Sequence, residues 1–315
     1  MSSVAQAELR QSLREAFGPR LREGVPLASC TSARIGGPAD FLLSVRSGSE
    51  LETVCRTLWG LGVEFRMLGG GSNVLVSDAG VRGVIVLNQA KDADFAITDQ
   101  QASVTAEAGV SFGSIARRAV DQGLSGLEWA AAIPGTVGGA IVGNAGAFGG
   151  EVSQVLKVAD ILQRPGRREQ WPVERLEYGY RTSWLKRHPG EAAVLSGTFG
   201  LQKATQDATR ARVAEFGAKR QQTQPPGASW GSMFKNPPGD HAGRLIEAAG
   251  LNGTRQGAAE ISTRHANFFI NRGGATAADV WALIEKARQE VRRQTGIELE
   301  LEIERLGEWN VSGAA

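Results

Sequence analysis

At 315 residues, with 42% hydrophobic and 22% charged side chains, the chain has enough apolar material for two or three cored domains, and wholesale disorder is excluded. A formal net charge of +2 gives no support for nucleic-acid binding through a basic surface, while leaving room for a local basic pocket for an anionic small molecule. Cys30 and Cys55 lie far apart and His188, His241 and His265 are scattered, so no metal site is expected. With no secretory apolar region and no long apolar run, the expected setting is the reducing cytoplasm, with both thiols free and no membrane attachment.

In chain order, AELRQSLREAFG reads as a helix, followed by the loop TSARIGGPADF and an apolar strand at Phe41–Val45. A helix over Glu50–Gly60 and a strand over Glu64–Leu68 lead into three consecutive glycines, then the apolar run Val74–Val76. Further strands are predicted at Val84–Leu87, Phe95–Thr98 and Val104–Ala106, with a helix at Phe112–Gln122. A second glycine-rich tract covers 131–151, strands near Val152–Leu162 and Ala193–Leu201 bracket LEYGYRTSWLK, and a charged helix occupies about 204–220. The Pro/Gly-rich stretch 221–240 is the best boundary candidate. Beyond it, Thr276 and Asp279 form a capping box opening a helix with Val280, Trp281, Ile284, Ala287 and Val291 on one face. Ile297–Glu304 alternates with period two, predicting a strand with one aliphatic face and one of four glutamates.

The stretch MLGGGSNVLV raises the question of what must approach the backbone so closely, since glycine lacks a Cβ and tolerates φ > 0. Phosphate is the obvious guest, because such a run exposes backbone N–H groups as an anion-binding nest. Gly71 is followed by Ser72-Asn73, which rules out a P-loop, and no G-x-G-x-x-G occurs. The loop feeds a strand, so the grip would be direct N–H donation, with the Ser72 hydroxyl and the Asn73 amide adding donors. The bland alternative is a glycine-rich turn. A second dense tract, Pro134-Gly135-Thr136-Val137-Gly138-Gly139, suggests one extended ligand, with phosphates at one tract and a planar ring at the other.

LGGGSNVLVSDAGVRGVIV, GLEWAAAIPGTVGGA, NAGAFGGE, TSARIGGPAD and YGYRTSWLK resemble the FAD-binding half of the UDP-N-acetylenolpyruvylglucosamine reductase (MurB) family. GSMFKNPPGDHAGRLIEAAGLNG, ISTRHANFFIN and GIELELEIERLGE extend the likeness from about residue 25 to about 308, in the pattern of the family's shorter type. The resemblance implies an α+β fold of the vanillyl-alcohol-oxidase/p-cresol-methylhydroxylase (VAO/PCMH) kind. It divides the chain into FAD-binding subdomains at 1–67 and 68–222 and a smaller C-terminal α/β substrate domain at 223–315. Gly69, Gly70, Gly71, Ser72 and Asn73 would wrap the FAD pyrophosphate, and Ile133, Pro134, Gly135, Gly138 and Gly139 would lie along the flavin end. Neither tract contains His or Cys, so FAD is expected to be non-covalent.

The implied reaction is NADPH-driven reduction of UDP-N-acetylglucosamine enolpyruvate to UDP-N-acetylmuramate, a peptidoglycan precursor, with hydride from flavin N5 to C3. Hydride addition pushes charge onto the substrate carboxylate and leaves C2 to be protonated. Arg181 suits the carboxylate, being always charged and forked; the alternative is a surface or structural arginine. Ser232 matches the family's proton donor to C2, a role worth roughly 10²–10⁴-fold; the alternative is a turn hydroxyl, and Ser229 is the confounder. Only alignment selects Glu302 among Glu298, Glu300, Glu302 and Glu304, as a protonated glutamate stabilising the enolate-like carboxylate. Here Leu301 replaces the family's usual proline, and Glu304 stands where a basic residue is common. Tyr180, Lys235, Asn236 and His265 are candidate substrate contacts, with turn closure and structural packing as their alternatives.

NADPH is expected to enter the substrate's own cleft and leave first, and no obligatory protein partner is evident. Two rival readings remain. One is a flavin oxidase or dehydrogenase of the same fold acting on an alcohol, which would show rapid air reoxidation with peroxide release. The other is a non-catalytic flavin or nucleotide-sugar binder.

Overall fold

The computed structural model describes residues 3–309. Contacts group the chain into two compact units, neither continuous in sequence. The first comprises residues up to Val25, Asp40–Gly69 and Gly83–Phe216; the second comprises Pro26–Ala39, Gly70–Arg82 and the chain from Gly217 onward.

In the first unit, strands Arg22–Pro26, Pro38–Val45, Val81–Asn88 and Phe65–Leu68 form a four-stranded sheet in that order. Helix Gly48–Gly60 buries Leu51, Val54, Cys55, Leu58 and Trp59, the one-face spacing of an amphipathic helix. The Ser47 hydroxyl caps it by accepting from Glu50 N at 3.2 Å. Helix Ser3–Phe17 adds Leu13 and Phe17 to the same core.

A six-stranded sheet runs Arg167–Pro172, Leu156–Gln163, Ala192–Lys203, Ala102–Glu107 and Ala93–Ile97, with Leu124–Ser125 pairing beside Ala192–Lys203. All its pairings are antiparallel. Helix Phe112–Asp121 packs on it, and the Phe112 and Phe199 rings meet at 5.5 Å. Two sequence expectations change here. The glycine tract contains a helix, Val137–Gly143, because burial of Val137, Ala140 and Ile141 outweighs the poor helix propensity of glycine. Val152–Val155 is a helical turn closed by a Glu151/Gln154 capping box, so the expected strand starts at Leu156.

In the second unit, strands Ala228–Ser232, Phe268–Asn271, Ala259–Ile261 and Arg255–Gln256 form an antiparallel sheet covered by helices Ala242–Ala248 and Ala277–Thr295. The capping box has both bonds, Asp279 N to Thr276 Oγ1 and Thr276 N to Asp279 Oδ2, each 3.0 Å. Asp78 accepts from Ala277 N and Ala278 N at 2.8 and 2.9 Å, so a carboxylate meets the positive end of that helix. The strand expected over 297–304 is shorter and later. Only Glu304–Leu306 forms a ladder, parallel to Val74–Val76, whereas Leu301 makes a single bridge to Phe234. The alternating pattern reported one-sided burial; a strand also needs a ladder partner, which exists only beside Val74–Val76.

Candidate active site

The glycine loop packs against protein backbone first. A Cβ on Gly71, at φ +57°, would overlap the Cys30 carbonyl oxygen and lie 2.7 Å from Thr31 Cα. Ser32 N donates to Gly71 O at 3.0 Å, fastening the two segments. Glycine at 71 is therefore a requirement of the fold itself. On the loop's other side, the backbone N–H groups of Gly70, Gly71, Ser72 and Asn73 and the Ser72 hydroxyl have no protein acceptor among the described residues. Successive unclaimed donors in a tight loop form an anion nest. The Asn73 amide is directed elsewhere: its Nδ2 donates to the Glu302 carbonyl at 3.1 Å.

Gly69 touches the second tract, since a Cβ there would overlap Thr136 Oγ1. Thr136 caps the 137–143 helix by accepting from Gly139 N at 3.4 Å, and Gly138 N donates to Ala108 O at 2.8 Å. Pro134 and Gly139 remain exposed, while Ile133 and Gly135 are half-buried. The first unit thus joins Gly69 to Ile133–Gly139.

Arg181 belongs to the same unit. It sits at φ +55°, a left-handed conformation costing roughly 1–2 kcal/mol for an L-residue. Its Nη1 and Nη2 donate to Asn144 O at 3.3 Å and Gly146 O at 2.6 Å. The guanidinium lies 5.3 Å from the ring centroid of the exposed Tyr180. Around it, Asn144 Nδ2 donates to Gly179 O at 3.1 Å, Ser183 Oγ to Val142 O at 2.7 Å and Tyr178 Oη to Ile141 O at 2.9 Å. Burial, with the Glu151 carboxylate, pushes the Tyr178 phenol far above its usual range, keeping it a neutral donor. Buried Asn144, at φ +45°, is the residue that sequence reasoning missed; its only signal was an Asn following a helix where glycine often stands.

In the second unit, Ser232 ends a strand with an extra residue between Ser229 and Ser232, opposite Ile270 and Phe268, where Gly231 adopts φ +81°. Such a bulge re-aims a side chain. The Ser232 hydroxyl has no protein hydrogen-bond partner among the described residues, unlike a turn hydroxyl bonded to its own loop. The backbone beyond it is clamped by buried Asn267: Met233 N donates to Asn267 O at 2.7 Å, Phe234 N to its Oδ1 at 2.9 Å, and its Nδ2 to Phe234 O at 2.8 Å.

Glu302 N donates to Met233 O at 2.9 Å, bringing Glu302 beside the residue that follows Ser232. Among the four alternating glutamates, Glu298, Glu300 and Glu304 are exposed and Glu302 alone is half-buried. Lys235 is ion-paired with Glu300. Asn236 Oδ1 accepts from Ala242 N at 3.1 Å at the start of helix Ala242–Ala248. His265 packs on Phe268 with ring centroids 4.9 Å apart, and its Nδ1 accepts from Asn267 N at 3.3 Å. Burial holds the His265 imidazole below its usual range, favouring the neutral ring. Asn236 and His265 both do structural work in this fold.

Residues 39–167 match the sequence profile of the "FAD binding domain" family, and residues 221–306 match that of "UDP-N-acetylenolpyruvoylglucosamine reductase, C-terminal domain". The chain is 42% identical to the UDP-N-acetylenolpyruvoylglucosamine reductase of Chloroflexus aggregans, over 92% of this chain and 99% of that one. It is 44% identical to the reductase of Alkalilimnicola ehrlichii, over 91% and 95%. The crystal structure of the Thermus caldophilus MurB reductase covers 91% of this chain and 99% of its own, with 35% identity and a TM-score of 0.77. The matched FAD-binding domain and the mixed helix-and-strand fold define an FAD-binding α+β oxidoreductase. Within that class, the chain belongs to the UDP-N-acetylenolpyruvoylglucosamine reductase family, whose members act in peptidoglycan precursor synthesis. Among the described residues, no helix is long and apolar enough to cross a membrane, and no group of His, Cys, Asp and Glu could hold a metal ion.

Proposed function

We propose that the protein reduces UDP-N-acetylglucosamine enolpyruvate to UDP-N-acetylmuramate with NADPH as the electron source, and that FAD is bound non-covalently in the cytoplasm. The donor set suits the cofactor. The unclaimed N–H groups of Gly70–Asn73 match a diphosphate, and the tract at Ile133–Gly139 offers a glycine-lined surface to a flat ring. When bound, FAD supplies hydride at N5, delivered to C3 of the enolpyruvyl group.

Arg181 binds the substrate carboxylate. Its guanidinium is already oriented by Asn144 O and Gly146 O, which limits the reorganisation that binding requires. Glu302, as a neutral carboxyl, donates to that carboxylate as negative charge accumulates on it. The Ser232 hydroxyl passes its proton to C2. A serine is a weak acid in water, but the enolate-like carbon is the stronger base, so transfer runs downhill. Tyr180 and Lys235 contact the UDP-sugar from the rim.

The observation that supports this reading is the Glu302 N to Met233 O bond, which joins the acid's segment to the proton donor's despite their distance in sequence. The test follows NADPH absorbance in the yellow holoprotein with and without UDP-N-acetylglucosamine enolpyruvate. Consumption that depends on the sugar nucleotide is expected. Substrate-independent consumption with peroxide release would replace this reading with a flavin oxidase.

A further inference from the structure

We propose that Asn73 is a positioning residue that transmits the order of the glycine loop to Glu302. This rests on the reading that the loop holds the FAD diphosphate and that Glu302 faces substrate. The geometry forms a closed circuit within the second unit. Asn73 Nδ2 donates to Glu302 O at 3.1 Å, and Glu304 N donates to Asn73 O at 2.8 Å, so one residue grips that segment on both sides of Ile303. From there the strand Glu304–Leu306 runs parallel to Val74–Val76. Glu302 N continues the circuit to Met233 O at 2.9 Å. Buried Trp230, two residues before Ser232, closes it by donating Nε1 to Val74 O at 2.6 Å.

Three of these links use backbone atoms alone or along a ladder; only the Asn73 amide and the Trp230 indole are side chains that substitution can delete. Asn73 is also the last residue of the nest, with its own N–H unclaimed. An anion that orders Gly70–Asn73 therefore fixes the donor that holds the Glu302 carbonyl, one bond from the Cα that carries the carboxyl group. The circuit couples cofactor occupancy to the aim of the acid and, through Met233, to the backbone of the proton donor. No motion is needed, only loss of freedom at one segment.

The test compares hydrogen exchange of the 300–306 segment in apoprotein and at saturating FAD, for wild type, Asn73→Ala and Asn73→Asp. In wild type, FAD is expected to slow exchange at the Glu302 and Glu304 amides as well as in the loop. Both variants should keep loop protection at saturation and lose roughly tenfold of the protection at 300–306, the upper reach of one net hydrogen bond. The Asp variant has nearly the same shape but turns a donor into an acceptor facing the Glu302 carbonyl, so it should not rescue. In rapid mixing at saturating FAD, both should slow the olefin half-reaction about tenfold relative to flavin reduction by NADPH. Trp230→Phe, which keeps the buried ring and removes only its donor, should slow the same half-reaction. Wild-type protection confined to 69–76, or an Asp variant that behaves as wild type, overturns the inference while leaving the reductase reading intact. A wild type that takes up no FAD, or binds it without reducing the sugar nucleotide, overturns both.

Discussion

Arg181 Nη2 donates to the Gly146 carbonyl at 2.6 Å from a residue held at φ +55°. Two backbone carbonyls of the chain thus fix the guanidinium's orientation. Lysine offers one point charge in place of a planar fork and cannot reach both the Asn144 and Gly146 carbonyls while meeting a carboxylate. Arg181→Lys should lower kcat/KM for the enolpyruvyl substrate roughly 10- to 150-fold, the range of one charged hydrogen bond. Reduction of the flavin by NADPH in single-turnover mixing should be unchanged.

Gly71 and Gly139 separate two demands on glycine. At Gly71 the added Cβ meets Cys30 and Thr31 backbone at positive φ; at Gly139 the nearest atom, Thr136 Oγ1, is 3.7 Å away. Gly71→Ala should therefore destabilise the protein by about 1–3 kcal/mol or more in urea melts. Gly139→Ala should leave the melt unchanged, or raise it slightly through helix propensity, yet weaken FAD retention measured by fluorescence quenching. Equal FAD affinity in Gly139→Ala would remove that residue from the cofactor surface.

Glu260 is almost wholly buried and pairs with Arg272 at 2.5 Å and Arg255 at 2.6 Å. The Arg272 hydrogen bond holds its carboxyl below the usual range; burial opposes this, and Arg255 adds to the lowering. A depressed folded-state value means stabilisation that is complete above the unfolded value near 4.3 and is lost as pH falls through the folded value. Glu260→Gln should be less stable by roughly 1–3 kcal/mol at pH 7. The gap to wild type should narrow in urea melts taken between about pH 5 and pH 3. A gap that stays constant with pH would show that the carboxylate's charge is not what stabilises.

Burial pushes the Cys55 thiol up to about 12, whereas Cys30 is half-buried. The thiolate is the reactive form, so an aromatic disulfide reagent at pH 8 should leave Cys55 unmodified in the native protein. Denaturant should release it. Native modification of Cys55 would mean that its core opens readily.

Thr276→Ala removes the hydroxyl that accepts from Asp279 N at 3.0 Å. The expected loss is about 1 kcal/mol, or about 2–4 °C in Tm, without change in FAD affinity. Retention of the Asp78 bonds to Ala277 N and Ala278 N keeps the helix start in position.

What could be read from the sequence was local or periodic. The Thr276–Asp279 box depends on residues three apart, and the Leu51–Trp59 face on helical spacing, so both were legible. The Val137–Gly143 helix was hidden because glycine argues against a helix, and only burial against the sheet overrides that. Asn73 was legible as a loop donor, but its partner lies 229 residues away, a distance that no local pattern reports. The motif HANFFIN drew attention to His265, whereas Asn267 does the clamping at Phe234, and nothing in spacing distinguishes the two. Glu302 stood out from its three neighbours only through the family resemblance, because its half-burial depends on packing that the alternating pattern does not report.

The second unit's borrowing of Pro26–Ala39 and Gly70–Arg82 has a practical outcome for dissection of the chain. A fragment starting at Gly217 would carry the whole matched C-terminal profile yet leave Glu304–Leu306 without its Val74–Val76 partner strand and the Trp230 indole without the Val74 carbonyl. Cutting where the amino-acid order suggests a border therefore severs a single folded body. Any independently stable version would have to graft the two early segments back on.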